Sequence, residues 1–85
     1  MSDIETKTKD EYMNDVLSQL KEIRHYAKSN TETLSSQWLA FDSGEYKDKE
    51  LAGKIDKLLN AQGKLHDEIE ESIADIEILI NKSAQ

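Results

Sequence analysis

Residues 38–46, with the sequence Trp-Leu-Ala-Phe-Asp-Ser-Gly-Glu-Tyr, decide the fold predicted for this chain. Gly44 favours the left-handed conformation that follows the end of a helix, and Asp42 or Ser43 can cap the helix that comes next. The chain contains no proline and three glycines in all, so little else interrupts a helix. We therefore expect one tight turn, over residues 42–45, between two long helices.

The first helix is predicted over about residues 9–41. Thr8 and Glu11 match a capping box, in which Ser or Thr is followed three residues later by Glu, and residues 2–5 match it too. Poor helix formers at residues 29–33 make a break there an alternative, but the apolar phase continues across them, which favours one helix. Apolar residues recur at helical spacing at Met13, Val16, Leu17, Leu20, Ile23, Ala27, Leu34, Trp38 and Phe41.

The second helix is predicted over about residues 46–82. Its polar face is rich in acidic residues between Asp67 and Glu77, and Lys82 suits the C-terminal end of a helix, where the dipole favours a cation. The apolar stripe contains Leu51, Ile55, Leu58, Leu59, Leu65, Ile69, Ile73, Ile76, Leu79 and Ile80. Residues 1–85 therefore form one all-α domain, an antiparallel two-helix hairpin.

A turn centred near Ser43 also predicts which residues of the two helices face each other. Leu17 then lies opposite Ile69, and apolar residues oppose apolar residues along most of the hairpin. Arg24 falls opposite Gln62 in the same register, so these two residues form a predicted polar core layer. Buried polar groups of this kind can fix the register or the number of partners, at some cost in stability.

A two-helix hairpin leaves much of each apolar stripe in water, although burying one Leu or Ile is worth ~1.5–3 kcal/mol. We therefore expect two hairpins to associate as a four-helix bundle, as a homodimer or as a heterodimer with another helical protein. A monomer whose groove is covered by a third helix is the alternative if the first helix breaks. The predicted partner-binding residues are Trp38, Leu39, Phe41 and Tyr46 near the turn, and Val16, Leu58 and Ile78 on the stripes.

Composition and charge exclude several classes of partner. The net charge of −7 argues against nucleic acid and anionic membranes. No apolar run approaches the ~20 residues that cross a bilayer, so we expect no direct membrane insertion. The polar segment from Met1 to Asp10 does not resemble a cleaved secretory signal. We expect a cytoplasmic protein, or one exported without such a signal.

No set of residues in the sequence predicts catalysis. There is no cysteine, and His25 and His66 are the only histidines, with no third ligand beside them. We therefore expect no enzyme activity, no metal and no cofactor. Two alternatives are a metal-dependent enzyme that uses His66, and an acidic phage- or plasmid-type inhibitor that occupies a basic site of a nucleic-acid-handling protein.

The outline resembles the WXG family, small helical hairpins exported by type VII secretion systems of Gram-positive bacteria. The resemblance rests on the length, on a Trp at the end of the first helix, and on the absence of a signal peptide. Trp38-Leu39-Ala40 stands where the family has Trp-x-Gly, and His66 with Glu70 stands where its export signal has Tyr followed by an acidic residue. The pattern is more similar to the small partner proteins of LXG effectors. It implies a chain that pairs with an effector's helical N-terminal region and helps present it for export.

Overall fold

The computed structural model describes residues 7–83 and consists of two long antiparallel helices. Helix α1 spans Lys9–Asp42, with 34 residues, and helix α2 spans Lys49–Ser83, with 35 residues. No strand is present between residues 7 and 83. The predicted all-α hairpin is therefore confirmed, whereas the capping box predicted at residues 2–5 lies outside the described part of the chain.

Helix α1 begins at the predicted capping box. The backbone N–H of Glu11 donates to Thr8 Oγ1 at 3.1 Å, and the backbone N–H of Thr8 donates to Glu11 Oε1 at 2.9 Å. These two bonds satisfy donors that have no partner inside the helix. Because Thr8 donates to the carboxylate, the pKa of Glu11 lies below its ordinary value. The ammonium of Lys7 also contacts Asp15, which raises the pKa of Lys7.

The predicted continuity of α1 is confirmed, since the helix runs without a break through residues 29–33. The threonine hydroxyls in this segment bond back to the helix: Thr31 Oγ1 donates to the carbonyl of Ala27 at 2.9 Å, and Thr33 Oγ1 to that of Ser29 at 3.2 Å. Such back-bonding lets polar residues remain inside a helix without leaving their hydroxyls unpaired. The alternative, in which a break at residues 29–33 allows a third helix, is therefore not present in residues 7–83.

The connection between the helices is longer than predicted and covers residues 43–48. Helix α2 begins at Lys49, and not at residue 46, because Asp48 is its N-cap: Asp48 Oδ1 accepts from the backbone N–H of Leu51 at 3.1 Å. The predicted caps, Asp42 and Ser43, instead belong to the end of α1. The prediction places the cap of α2 at the first capping residues of the turn, whereas the structure uses the later residue Asp48.

Gly44 is required for space and not for a left-handed backbone. Its φ is not positive, so the predicted left-handed conformation is wrong. A Cβ at this position would lie 2.9 Å from Cα of Ala40, closer than two carbon atoms can pack. The linker folds back over the end of α1, where the N–H of Gly44 donates to the carbonyl of Leu39 at 3.0 Å.

The seam between the helices has a seven-residue repeat. Its buried members are Ala27 of α1 and Ala52, Ile69 and Ile73 of α2. Leu17 and Leu20 pack against the cluster formed by Ala27, Ile69 and Ile73. The half-buried members continue the same two rows on each helix. They are Met13, Leu34 and Phe41 with Arg24, Thr31 and Trp38 on α1, and Ile55, Gln62 and Ile76 with Leu59, His66 and Ile80 on α2.

The helices pair in a different register from the predicted one. Arg24 Nη1 donates to Glu70 Oε1 at 3.1 Å, and Lys21 Nζ lies 3.5 Å from Glu77 Oε2. Arg24 therefore lies about two turns further along α2 than Gln62, and the predicted Arg24–Gln62 layer is wrong. The physical reason is the longer linker, which moves the centre of the turn toward α2.

A polar layer does exist near the middle of the hairpin, but with other members. Thr31, Gln62 and His66 are half-buried seam residues. Gln62 lines one groove between the helices with Leu34, and His66 lines another with Thr31. No buried side-chain polar atom of the described residues lacks a hydrogen-bond partner, and within this layer Thr31 bonds to the carbonyl of Ala27.

Candidate protein-interaction face

The hairpin has two broad faces, one on each side of the seam. On one side, Leu58 and Leu65 of α2 lie beside Asn30 and Gln37 of α1, and these four residues line one groove between the helices. We call this side the front face. The back face is the side on which Lys21, Lys28, His66 and Glu70 line a groove. Residues seven apart along either helix stay on the same side, because they follow the seam.

Exposed apolar side chains are concentrated on the front face. On α2, they form a row at seven-residue spacing beside the seam, which we call the leucine ladder: Leu51, Leu58, Leu65 and Leu79, with Ser72 at the remaining step. On α1, Ile23 occupies the corresponding row, and Tyr12 and Tyr26 lie one row further out. Seven of the ten large apolar residues exposed in the described chain therefore share this face, whereas a random distribution would divide them between both sides.

The charges that flank the apolar residues of the front face are balanced in sign. The neighbouring row on α2 contains Lys54, Ala61, Glu68, Asp75 and Lys82. A second groove on this side, near the open end of the hairpin, is lined by Met13 and Leu79 together with Lys82. An apolar centre with a charged rim is the usual anatomy of a surface that binds protein.

The back face is polar and already engaged in pairing between the two helices. Lys21 and Arg24 pair there with Glu77 and Glu70. The positions next to the seam on this side are Asn14, Lys21, Lys28 and Ser35 on α1, and Asp56, Gly63, Glu70 and Glu77 on α2. Because no large apolar side chain occupies these positions, the back face has little hydrophobic surface to bury.

The structure divides the predicted partner-binding residues among several places. Val16 and Leu58 belong to the front face; Leu58 is 54% exposed and Val16 is half-buried. Ile78, although also 54% exposed, is on the outer side of α2, away from α1, because it lies half a turn from the seam residue Ile76. Leu39 is exposed on the back side of α1.

The aromatic residues near the turn do not form a shared exposed surface. Trp38 and Phe41 are half-buried members of the seam, whereas Tyr46 is 67% exposed in the linker. Trp38 thus stabilises the hairpin and offers only part of its ring to a partner.

Several front-face residues are absent from the predicted partner contacts. Leu51, Leu65, Leu79 and Ile23 belong to the predicted apolar stripes, and Tyr12 and Tyr26 have no predicted role. The seven-residue spacing of the leucine ladder was the available signal. A row that flanks a heptad seam is exposed in a two-helix hairpin, because only two rows per helix can face a single neighbour.

The two histidines lie in the same back-face groove, together with Lys21, Arg24 and Lys28. His66 Nδ1 is 3.5 Å from a carboxylate oxygen of Asp67, and Nε2 is 4.0 Å from one of Glu70. Within residues 7–83, no group of three or more His, Asp or Glu side chains is arranged to hold a metal ion. The basic side chains in this groove would also repel a cation.

Comparison with known proteins found no match among protein-family models, curated proteins or solved structures. Neither of the two described helices combines the length and the apolarity that are needed to cross a membrane.

Proposed function

We propose that this chain is a non-catalytic protein-interaction module whose front face packs against another helical protein to form a four-helix bundle. The observation that carries the proposal is the one-sided distribution of exposed apolar residues. Only four hydrophobic residues of the described chain are buried, and the leucine ladder, which would be buried in a bundle, faces water in the hairpin.

The energetic argument favours a partner over a lone hairpin. Burying a Leu side chain completely contributes about 1.5–3 kcal/mol, and the ladder residues realise only part of this. Small domains have little stability to spare. A second pair of helices laid on the front face would complete the burial of the ladder and leave the charged back face in water.

The test compares front-face and outer-side variants of the full chain. Leu58→Gln with Leu65→Gln removes the centre of the ladder, and Ile78→Gln is the matched control, because Ile78 is as exposed as Leu58 but on the outer side of α2. We expect the front-face variant to lose its stoichiometric helical partner, or its self-association, while the control keeps it. Equal binding by both variants would contradict the proposal. Circular dichroism must show that both remain helical.

Within this function, we propose a role as a small partner or substrate of a type VII secretion system, for which the support is the resemblance at Trp38-Leu39-Ala40. Co-expression with the helical N-terminal region of an effector from such a system tests it. Export of the effector should depend on this chain and should fail with the front-face variant. Unchanged export without this chain would remove the secretion role and leave the interaction module intact.

The inhibitor alternative has less support. Glu70 and Glu77, within the acidic segment of α2, already pair with Arg24 and Lys21, so part of that segment is neutralised by α1. The two functions differ in their salt dependence. Front-face binding is mainly apolar with a few charges at its rim and should weaken only modestly as salt rises, whereas occupation of a nucleic-acid site should weaken steeply.

A further inference from the structure

We infer that the front face accepts a second copy of this chain, with the turns of the two hairpins at opposite ends and α2 lying antiparallel to α2 of the other copy. This inference rests on the proposed function and specifies its partner and orientation. Two properties of α2 carry it, namely the symmetry of its leucine ladder and the polarity of its charge.

The leucine ladder is self-complementary about Leu65. Its steps are Leu51, Leu58, Leu65, Ser72 and Leu79, evenly spaced around Leu65. When two copies run antiparallel with Leu65 on the two-fold axis, Leu51 meets Leu79 of the second copy, and Leu58 meets Ser72. A large side chain then faces the one small side chain in the row, which is how facing layers interdigitate without overpacking.

The charge of α2 changes sign along its length. Residues 49–64 contain the lysines Lys49, Lys54, Lys57 and Lys64 and the acids Glu50 and Asp56. Residues 65–83 contain Lys82 as their one basic group other than His66, and the acids Asp67, Glu68, Glu70, Glu71, Asp75 and Glu77, of which Glu70 and Glu77 pair with α1. An antiparallel pair of α2 helices places the basic half of each copy on the acidic half of the other.

The opposite orientation is electrostatically unfavourable. With both turns at the same end, the acidic halves of the two copies would lie at one end of the bundle, where like charges repel. In the antiparallel arrangement, Lys54 lies beside Asp75 of the second copy, at the rim of the ladder. Both residues are exposed in the hairpin, so each is available for this contact.

The decisive experiment is a charge swap, read out by sedimentation equilibrium of the full chain from low micromolar to near-millimolar concentration. Wild type should dimerise. Lys54→Glu alone and Asp75→Lys alone should each weaken dimerisation several-fold, and the double variant should restore it, since each rim contact is then reversed and not lost. Restoration requires that the partner is the same chain in the antiparallel orientation.

The ladder provides a second measurement. Leu65→Gln should weaken dimerisation by about tenfold or more, because the residue on the axis is replaced in both copies, while Ile78→Gln should leave it unchanged. A wild type that remains monomeric throughout, or a double variant no better than the single ones, would overturn the inference. The proposed function survives that outcome if a different helical protein binds wild type and Ile78→Gln but not Leu65→Gln, and fails if none does.

Discussion

Replacing the two glycines inside α2 is expected to stabilise the hairpin. Gly53 and Gly63 lie within the helix, and a Cβ built at either position meets no atom within 4 Å. Glycine costs about 1 kcal/mol relative to alanine in a helix interior, and no close contact in the hairpin requires its small size. Gly53→Ala with Gly63→Ala should therefore raise the free energy of unfolding by about 2 kcal/mol, or the melting temperature by about 10 °C.

Gly44→Ala is the control with the opposite sign. Its Cβ would lie 2.9 Å from Cα of Ala40 and 3.0 Å from the carbonyl oxygen of the same residue. These are backbone atoms, which cannot rotate away, so the end of α1 or the linker must shift. We expect this substitution to destabilise the hairpin, although alanine is the better helix former.

The measurement is urea unfolding followed by far-UV circular dichroism, repeated at several protein concentrations because association adds to the apparent stability. A stabilising Gly44→Ala, or a destabilising double replacement in α2, would refute the steric reasoning. Gly63 also lies on the back face, beside Lys28 and His66. If Gly63→Ala stabilised the hairpin but weakened partner binding, the partner would contact the back face, and the front-face proposal would be wrong.

Further predictions concern the start of α1 and the seam. Thr8→Ala removes the hydroxyl that accepts from the N–H of Glu11 and should cost about 1 kcal/mol, seen in urea unfolding; an unchanged midpoint would show that this bond contributes nothing. The folded state lowers the pKa of Glu11. The contribution of its carboxylate to folding stability is therefore present above the unfolded pKa and lost as pH falls through the folded pKa. Titration of the carboxyl groups by NMR should show the lowered pKa of Glu11. Glu11→Gln should abolish this pH-dependent contribution to stability. Ile73→Ala, at a residue that is 3% exposed, should cost about 2–5 kcal/mol; Ile78→Ala should cost far less, and equal losses would contradict the assigned seam.

The fold was predictable because its signals are local. Thr8 and Glu11 mark the start of α1 through a bond pattern that depends on four consecutive residues. Asp42 and Gly44 mark its end through residue types that helices avoid or use as stops. The apolar period across residues 29–33 outweighed their poor helix propensity, as expected when packing against a neighbouring helix decides.

The register was not predictable, because it depends on the length of one linker. Both Ser43 and Asp48 are good capping residues, and the sequence does not say which one starts α2. An earlier cap implies a shorter linker, and it displaces the predicted partner of Arg24 by about two turns of α2. The Arg24–Gln62 pair was lost for this reason, while the ion pair of Arg24 with Glu70 could be found only once the backbone was placed.

The predicted site differs from the front face for another reason. Aromatic residues often anchor interfaces, so a prediction from sequence favours Trp38 and Tyr46 near the turn. Trp38, however, falls in a seam row that α2 half covers, and Tyr46 lies in the linker. Leu58 belongs both to the predicted partner-binding residues and to the front face, because its neighbour Leu59 widens the stripe beyond what one helix can cover.

The polar layer connects the stability of the hairpin to its proposed partner. The one buried cluster, of Ala27, Ile69 and Ile73, lies toward the open end, and Ala52 is buried separately near the linker. Between them, the seam contains the polar residues Thr31, Gln62 and His66 beside the half-buried Leu34 and Leu59, and no residue there is buried. Leu58 and Leu65 lie on the front face at this same level. A partner on that face would therefore supply apolar contacts where the hairpin has fewest, so binding and folding stability should rise together.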